Sequence, residues 1–276
     1  MKHDIKYLEK MANILRKDLL KMVYLGGEGH PGPALSIADI VAVLYFAEMN
    51  IDPENPQMPD RDRFILSKGH ACPVLYAALA RKGYFSTELY SSLRKINSTL
   101  QGHPDMIKTP GIDMTSGSLG HGISIGTGMA VSGRITNNDY NVYVIVGDGE
   151  LNEGIVWESA AGAVKYNVGN LIVFVDKNNL QSSGETKEIG GDLPLEKKWK
   201  AFGWHCQKIN GHNIKEILEA INNAQKKENC PSIIIADTIK GKGVSFIENN
   251  NTWHKRTPTK EEYNKALIEL RGDSLD

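Results

Sequence analysis

The stretch GDGELNEGIVWESAAGAVKYNVGNLIVFVDKNNLQ, from Gly147 to Gln181, decides how this sequence is expected to fold. It begins directly after the apolar run 143–146, and it ends shortly after a second apolar run at 171–175. Each run predicts a short buried strand, and an oxygen-bearing side chain follows each one, Asp148 and then Asn178. Because the carboxyl ends of adjacent parallel strands meet at one edge of a sheet, we expect these two side chains to lie close together.

The residues around Asp148 predict a site for phosphate and a metal ion. Glycines on both sides of Asp148 allow the backbone to approach a ligand closely. A helix predicted at 152–166 aims its first N–H groups at the same place, which favours an anion. A carboxylate, an amide oxygen, a backbone carbonyl, diphosphate oxygens and water form a suitable shell for Mg²⁺ or Ca²⁺. The stretch therefore predicts a diphosphate held through a divalent cation.

The composition of the whole chain narrows the class of protein. Its 276 residues are enough for one large domain or for two. The formal net charge of -1 gives no basic field, which argues against a nucleic acid partner. No apolar run approaches the roughly 20 residues that span a bilayer, so we expect no membrane partner. Three scattered cysteines without metal-ligand spacing favour a reducing cytosol, and hence a cytoplasmic protein.

Apolar periodicity along the rest of the chain predicts an α/β fold. Strands are predicted at 64–67, 141–146, 171–175, 205–209 and 232–238. Helices are predicted at 5–25, 37–49, 73–82, 152–166 and 214–227. Two further helices are predicted within the segments 115–133 and 258–276. Ser36 is expected to cap the second helix, and the polar segment after 171–175 is expected to be a long loop. Short apolar strands that alternate with helices indicate a doubly wound, mainly parallel sheet with helices on both faces.

Histidines that follow glycine form a second pattern. Five of the eight histidines do so, at positions 30, 70, 103, 121 and 212. A loop histidine is commonly solvated or satisfied by a nearby group, and we keep that interpretation for His212. His30, His70 and His103 differ, because each lies in a loop that enters a helix or leaves a strand, and imidazole transfers protons near neutral pH. Together with His254 on a polar loop, they predict a pocket for a substrate with many hydroxyl groups.

Eight motifs in order make the chain resemble the N-terminal, diphosphate-binding domain of transketolase. They are GHPG at 29–32, RDRFILSKGH at 61–70, GHP at 102–104, SGSLGHG at 116–122, GDGELNEG at 147–154, DKNN at 176–179, GW at 203–204 and KGKGVSF at 240–246, which precedes a final histidine. The resemblance covers nearly the whole chain. It implies a thiamine-diphosphate-binding fold, with residues 1–276 as a single diphosphate-binding domain.

The resemblance also implies a cofactor site. The metal, Mg²⁺ with Ca²⁺ or Mn²⁺ as substitutes, would be held by Asp148, Asn178 and the carbonyl of Leu180. The residues that would bind or communicate with thiamine diphosphate are His70, Gly117, Ser118, Leu119, Gly149, Glu153, Asn178 and His254. Of these, Glu153 is expected in a subunit-interface network that acts on the cofactor from a distance.

The resemblance assigns catalysis to the histidines. His70 and His254 would reach the diphosphate or the substrate near it. His30, His103 and again His254 would surround the hydroxyl groups of the donor sugar and its two-carbon fragment. Three nearby positions depart from the usual family pattern: Ser118 replaces a common proline, His121 a common glutamine and Lys255 a common glycine. These departures leave the metal ligands intact, but they leave the identity of the sugar open.

The activity that the resemblance implies is ketol transfer by a two-chain enzyme. A transketolase also has a pyrimidine-binding domain and a C-terminal domain, and no segment here resembles either one. We therefore expect a separate C-terminal subunit to complete the active site in an α2β2 heterotetramer. The reaction would move a two-carbon unit from a ketose phosphate, or a related acidic sugar, to an aldose. Two alternatives stay open: the α chain of a 2-oxo acid dehydrogenase-type decarboxylase, and a non-catalytic regulatory relative.

Overall fold

A computed structural model describes residues 4–191 and 194–270 of the chain. Its strands are β1 Arg63–Leu66, β2 Val142–Gly147, β3 Leu171–Lys177, β4 Leu180–Gln181, β5 Gly184–Glu185, β6 His205–Asn210 and β7 Ser232–Asp237. Within the described residues, five of these strands form one sheet in the order β1-β2-β3-β7-β6, and every neighbouring pair is parallel. The predicted parallel α/β architecture is therefore confirmed, while β4 and β5 form a separate antiparallel hairpin.

Apolar side chains on both faces of the strands explain why the sheet is covered on both sides. In β2, Tyr143 and Ile145 belong to one hydrophobic core, whereas Val142, Val144 and Val146 belong to the other. Alternate residues of a strand point to opposite faces, so a strand that is apolar throughout can fill two cores at once. The central strands are accordingly almost completely buried.

Helices pack against both faces of this sheet. They are α1 Ile5–Gly26, α2 Pro31–Leu35, α3 Ala38–Val43, α4 Cys72–Lys82, α5 His121–Thr136, α6 Gly154–Lys165, α7 Thr186–Gly190, α8 Leu195–Ala201, α9 Ile214–Gln225 and α10 Lys260–Glu269. Helices α1, α3, α4 and α9 fill the core that contains Tyr143, and α5 and α6 fill the opposite core. Over the described ranges, no helix has both the length and the apolar composition needed to cross a bilayer.

The structure differs from the sequence-based prediction in three places. Ser36 is not the N-cap of the following helix: it is the C-cap residue of α2, and its hydroxyl donates to the carbonyl of Pro33 and to the carboxylate of Asp176. The helix predicted at 37–49 begins as α3 and ends in a π-helical turn, Leu44–Glu48. The polar segment after β3 contains β4, β5, α7 and α8 rather than an irregular loop. Positions 271–276 of the predicted last helix lie outside the described residues.

A buried ionic network ties α1 and α3 to the segments that flank β6 and β7. Asp39 accepts hydrogen bonds from Arg16 and, at 2.7 Å, from Nδ1 of His212. The Nε2 atom of His212 accepts the backbone N–H of Ile239 at 2.8 Å, so this histidine has structural partners. Burial opposes the charge of Asp39, but the neighbouring Arg16 and His212 hold the pKa of this carboxyl below its usual value. The network thereby fixes the segment that leaves β7.

Asp39→Ala should destabilise the fold, because it leaves the guanidinium of Arg16 buried without its carboxylate. Removing one partner of a buried ion pair costs about 3–5 kcal/mol. We therefore expect urea denaturation to show a free energy of unfolding that is lower by about 3 kcal/mol. Glu219→Ala is the matched control, since Glu219 lies 3.9 Å from Lys215 on the surface and such pairs contribute about 1 kcal/mol or less. Equal losses in the two variants would contradict this account.

Candidate functional site

A cavity of about 600 Å³ lies at the carboxyl ends of β1, β2 and β3. The residues predicted for the site that line it are His30, His70, His103, Gly117, Leu119, Asp148, Gly149, Glu153, Asn178, Leu180 and His254. Ser118 does not line this cavity. It lines a separate cavity of about 300 Å³, together with His121 and Ile125. The structure therefore gathers eleven of the predicted residues and places Ser118 elsewhere.

The carboxylate of Asp176, at the end of β3, organises the floor of this cavity. It is fully buried, and it accepts hydrogen bonds from Lys68 Nζ at 2.5 Å, Ser36 Oγ at 2.7 Å and Asn178 Nδ2 at 2.8 Å, and from Thr238 Oγ1. Burial alone would raise the pKa of Asp176, but Lys68 and the other donors hold it below the usual value. Sequence analysis did not assign these roles to Asp176, Ser36 or Lys68. Lys68 lies in the SKGH motif, and Asp176 lies in the DKNN motif.

The bond from Asn178 to Asp176 fixes which end of the amide faces the neighbouring loop. Because Nδ2 is committed to Asp176, Oδ1 points the other way and accepts the N–H of Leu180 at 3.0 Å. Asp148 lies beside it, and its two oxygens accept the N–H groups of Gly149 at 2.8 Å and Asn179 at 2.5 Å. Burial and the nearby charge of Asp176 raise the pKa of Asp148 to about 7.

The oxygen atoms at Asp148, Asn178 and Leu180 fit a hard divalent cation. They are a carboxylate, an amide oxygen and a backbone carbonyl, the ligand types that Mg²⁺ and Ca²⁺ prefer. Over residues 4–191 and 194–270, no three His, Cys, Asp or Glu side chains converge as a metal site. A ligand set with a single carboxylate compensates only part of the charge of a divalent cation. The arrangement therefore favours a cation that is bound together with an anionic ligand.

A second lysine, Lys240, brings positive charge to the same edge of the sheet. Its Nζ atom donates to Asn251 Oδ1 at 2.8 Å and makes longer contacts of 3.4 Å and 3.5 Å with the carbonyls of Leu180 and Gln181. Burial, with the positive charge of Lys68 nearby, lowers the pKa of Lys240 to about 8. This lysine was also missed by sequence analysis, although it opens the KGKG motif. Two lysines beside one cavity provide a complement for an anion.

Tight turns enclose the cavity, and Glu150 holds two of them together. The carboxylate of Glu150 accepts the N–H of Gly120 at 2.7 Å and that of Gly147 at 3.0 Å, and it also accepts a bond from Ser67. A side chain at Gly149 would be excluded, because its Cβ would lie only 2.7 Å from Cβ of Gln181. Glycine at position 149 therefore lets the side chain of Gln181 pack closely against this turn, and the contact of its backbone with a phosphate stays a prediction.

Three histidine rings meet inside the cavity. The ring centroids of His30 and His70 lie 5.2 Å apart, those of His70 and His254 lie 5.2 Å apart, and those of His30 and His254 lie 5.7 Å apart. His103 lines the same cavity, where it faces Gly117, although its ring is more exposed. The predicted histidine pocket therefore exists as a geometric cluster.

All four of these histidines are neutral at pH 7. Burial, assisted by the charge of Arg94, lowers the pKa of His30 to about 4, and burial with the charge of Lys240 lowers that of His254 to about 3. The pKa values of His70 and His103 are also lowered, first by burial. The Nδ1 atoms of His30 and His254 are buried without a hydrogen-bond partner within the described chain. Neutral rings with free nitrogen atoms are suited to bind and move protons of a polar ligand.

Comparison with known proteins identifies the family. The family model described as transketolase, thiamine diphosphate binding domain, matches residues 8–270. A 6-deoxy-6-sulfo-D-fructose transketolase subunit of a Clostridium species is 47% identical over 266 residues, which cover 96% of this chain and 97% of the relative. One of the apulose-4-phosphate transketolase subunits of Phocaeicola vulgatus is 38% identical over 96% of this chain and 94% of the relative.

Solved structures agree with this result. The transketolase of Campylobacter jejuni superposes with a TM-score of 0.92 at 31% sequence identity, and the match covers 98% of this chain but 43% of that one. The transketolase of Leishmania mexicana gives a TM-score of 0.91 at 29% identity, covering 98% of this chain and 42% of that one. This chain thus spans less than half the length of these solved enzymes. From its motifs, its fold and these matches, the chain belongs to the transketolase family and carries the thiamine diphosphate-binding domain of that family.

Proposed function

We propose that this chain is the N-terminal subunit of a thiamine-diphosphate-dependent transketolase whose active site is completed by a separate C-terminal subunit. It would transfer a two-carbon ketol unit from a ketose to an aldose. The observation that carries the proposal is the composition of the cavity. Oxygen atoms of Asp148, Asn178 and Leu180 that suit a divalent cation lie in the same cavity as three clustered, neutral histidines. Relatives that are themselves called transketolase subunits are matched over nearly their whole length, which supports the split arrangement.

In this proposal, Asp148, Asn178 and the carbonyl of Leu180 bind the metal, with Mg²⁺ as the natural ion and Ca²⁺ or Mn²⁺ as substitutes. The backbone of Gly149 and the lysines Lys68 and Lys240 face the diphosphate. When bound, thiamine diphosphate supplies an electron sink for breaking a carbon–carbon bond. The chain's own contribution is to hold the diphosphate end in one orientation and to keep water away from the floor of the cavity.

The histidines handle protons of the donor sugar. His70 and His254 are within the electrostatic reach of Lys68, and in this proposal they bind near the diphosphate. His30, His103 and His254 surround the donor hydroxyl groups. Because their rings are neutral at pH 7, a free imidazole nitrogen accepts the proton of a donor hydroxyl as the carbon–carbon bond breaks. The same nitrogen then returns a proton to the acceptor oxygen when the new bond forms.

The remaining assignments also belong to this proposal. Gly117 and Leu119 would contact the thiazolium end of the cofactor, whereas Ser118 lines the neighbouring cavity of this chain. Glu153, exposed at the start of α6, lies in the network that joins this chain to its partner. Residues 1–276 form a single diphosphate-binding domain, and two copies with two C-terminal subunits form a cytoplasmic α2β2 heterotetramer.

The two alternative functions fit the site less well. A 2-oxo acid dehydrogenase-type α chain would share the metal and diphosphate site, but its substrate has no row of hydroxyl groups to occupy four histidines. A regulatory relative would be free to lose metal ligands, whereas Asp148 and Asn178 are both present; Asn178 donates to the buried Asp176, and Asp148 accepts the N–H groups of Gly149 and Asn179. Ketose donors tested against pyruvate would separate the first alternative from ketol transfer.

Asp148→Ala should abolish ketol transfer by the chain mixed with its partner subunit, Mg²⁺ and thiamine diphosphate. Loss of a residue that hydrogen-bonds a metal ligand lowers metal affinity or activity about 10–100-fold. We therefore expect loss of a direct ligand to lower kcat/KM by more than about 100-fold. Asp139→Ala is the matched control, because Asp139 is exposed at the opposite end of β2. A coupled assay of ketose consumption measures both. Full activity of the Asp148 variant would refute the metal assignment.

The binding of Mg²⁺ should weaken in mild acid, because a proton competes for Asp148. The pKa of Asp148 is raised to about 7 in the metal-free chain. Below pH 7 the carboxyl therefore keeps its proton, and above pH 7 its buried negative charge destabilises the metal-free fold. Metal binding requires the charged carboxylate. We expect affinity for Mg²⁺ with thiamine diphosphate to be about tenfold lower at pH 6 than at pH 8. Calorimetry at both pH values measures this, and equal affinities would contradict the raised pKa.

His30→Ala should slow the reaction without preventing cofactor binding. General acid–base catalysis contributes about 10²- to 10⁴-fold, so we expect kcat to fall by about 100-fold or more. His205→Ala is the control, because His205 begins β6 at the end of the strand away from the cavity. Calorimetry with Mg²⁺ and thiamine diphosphate should give similar affinities for both variants. A lost affinity in His30→Ala would place this ring on the cofactor instead of the sugar.

A further inference from the structure

The side chain of Asn251 connects two loops that line the histidine cavity. Its Nδ2 atom donates to the carbonyl of Ser182 at 2.9 Å, and its Oδ1 atom accepts a hydrogen bond from Nζ of Lys240 at 2.8 Å. Ser182 lies in the turn between β4 and β5, and His254 directly follows the 3₁₀-helical turn Asn251–Trp253. Both Ser182 and His254 line the cavity. We call the two hydrogen bonds of the Asn251 side chain the amide bridge.

The two partners in the amide bridge require an amide at position 251. The ammonium of Lys240 can only donate, so an oxygen must face it, and the carbonyl of Ser182 can only accept, so an N–H group must face it. An amide has one oxygen and one NH₂ group on the same planar fork, and it therefore satisfies both partners at once. An ionised aspartate supplies no donor, and alanine supplies neither group. The partners thereby fix the orientation of the Asn251 amide.

The hairpin at one end of the amide bridge contains the carbonyl of Leu180. Strands β4 and β5 pair through two residues each, and an isolated two-stranded hairpin is at best marginally stable. Lys240 Nζ also lies 3.4 Å from the carbonyl of Leu180 and 3.5 Å from that of Gln181. The amide bridge therefore helps to fix the position of a carbonyl that we propose as a metal ligand.

The main chain of Asn251 holds the other end. The N–H of His254 donates to the carbonyl of Asn251 at 2.9 Å. Trp253, which lies between them, is buried, and its carbonyl would be 2.8 Å from a Cβ at Gly32. Gly32 follows His30 by two residues. Asn251 thus binds the hairpin through its side chain and the backbone of His254 through its carbonyl.

We propose that Asn251 is a positioning residue for ketol transfer, which fixes His254 relative to the carbonyl of Leu180; this rests on the proposed function. The imidazole of His254 would accept the proton of a donor hydroxyl, while the carbonyl of Leu180 would help to hold the metal and, through it, the diphosphate. Both groups must act on one assembly of cofactor and sugar. A misplacement of about 1 Å, even one caused from outside the reacting groups, costs on the order of 100-fold in rate. A short link between the two groups therefore supports the reaction without touching the sugar.

The other explanation for Asn251 is that it only stabilises the turn before His254. Asn250 separates the two explanations, because it caps the same turn. Its Oδ1 atom accepts the N–H of Thr252 at 3.1 Å and the hydroxyl of Thr252 at 2.7 Å. Within residues 4–191 and 194–270, Asn250 makes no hydrogen bond to β4, β5 or the turn between them. Asn250→Ala therefore weakens the turn and leaves the amide bridge in place.

The test compares Asn251→Asp, Asn251→Ala and Asn250→Ala in the complex with the C-terminal subunit. Calorimetry in the presence of thiamine diphosphate measures the affinity for Mg²⁺, and ketose consumption at saturating Mg²⁺, cofactor and donor gives kcat. We expect both Asn251 variants to lower the affinity for Mg²⁺ about tenfold, the smaller effect of losing a residue that supports a metal ligand. We expect them to lower kcat by about tenfold or more, because His254 is displaced. Asn250→Ala should leave both quantities as in wild type.

A double-mutant cycle with His254→Ala tests whether Asn251 affects kcat through this histidine. Effects of residues that act independently add, whereas effects of residues that act through one another do not. We therefore expect Asn251→Asp to lower kcat no further when His254 is already alanine. The affinity for Mg²⁺ should still fall about tenfold in that background, because the hairpin is released in the same way.

The inference stands only if all of these results are obtained. Equal losses in Asn250→Ala, a loss of only one of the two quantities, unchanged values in the Asn251 variants, or additive losses of kcat would overturn it, while ketol transfer by the wild-type complex stands. A wild-type complex that transfers no ketol unit from any ketose would instead overturn the proposed function, and calorimetry would still decide whether Asn251 positions the hairpin. Thermal unfolding checks each variant, and Asn251→Ala carries the comparison if Asn251→Asp does not fold.

Discussion

The buried carboxylate of Asp176 is the constraint on which the rest of the site depends. An ionised group without water is stable only when donors surround it. Here the donors come from four parts of the chain: Ser36 after α2, Lys68 after β1, Asn178 after β3 and Thr238 after β7. Satisfying one charge thus aligns the ends of three strands and one helix. The same carboxylate orients the amide of Asn178 and, together with burial, raises the pKa of Asp148, so it shapes the two side chains that we propose as metal ligands.

Four ionisable groups around Asp176 have pKa values shifted in the direction that favours their neutral forms. The carboxyl of Asp148 has a raised pKa, and the ammonium of Lys240 and the imidazoles of His30 and His254 have lowered ones. Burial is the first cause in every case. Shifts of this kind are typical of functional sites, where stability is given up for reactivity or binding. A divalent cation compensates the acid, and an anionic ligand compensates the bases, so one diphosphate with its metal would relieve both at once.

The sequence predicted what depends on local pattern. The strands followed from apolar runs, and the meeting of Asp148 with Asn178 followed from the rule that parallel strands end at one edge. The sequence-based prediction was wrong where the role of a side chain depends on a residue far away in the chain. Ser36 precedes an apolar helical segment and has the signature of a cap, but its hydroxyl bonds to Asp176, 140 positions away. Ser118 adjoins two residues that line the cavity, but it lines the neighbouring cavity instead. No local pattern contains the pairing of Ser36 with Asp176.

The site is built from two parts that differ in how freely they can change. Its floor consists of strand ends and their buried partners, where four donors from different parts of the chain share the carboxylate of Asp176. Its rim consists of loops, where Glu28, Arg94 and Lys255 meet at partly exposed positions. The departures from the family pattern at Ser118, His121 and Lys255 all lie in loops or at a helix start, and none lies in the floor. Substitutions in these loops can therefore occur without disturbing the buried hydrogen bonds of Asp176.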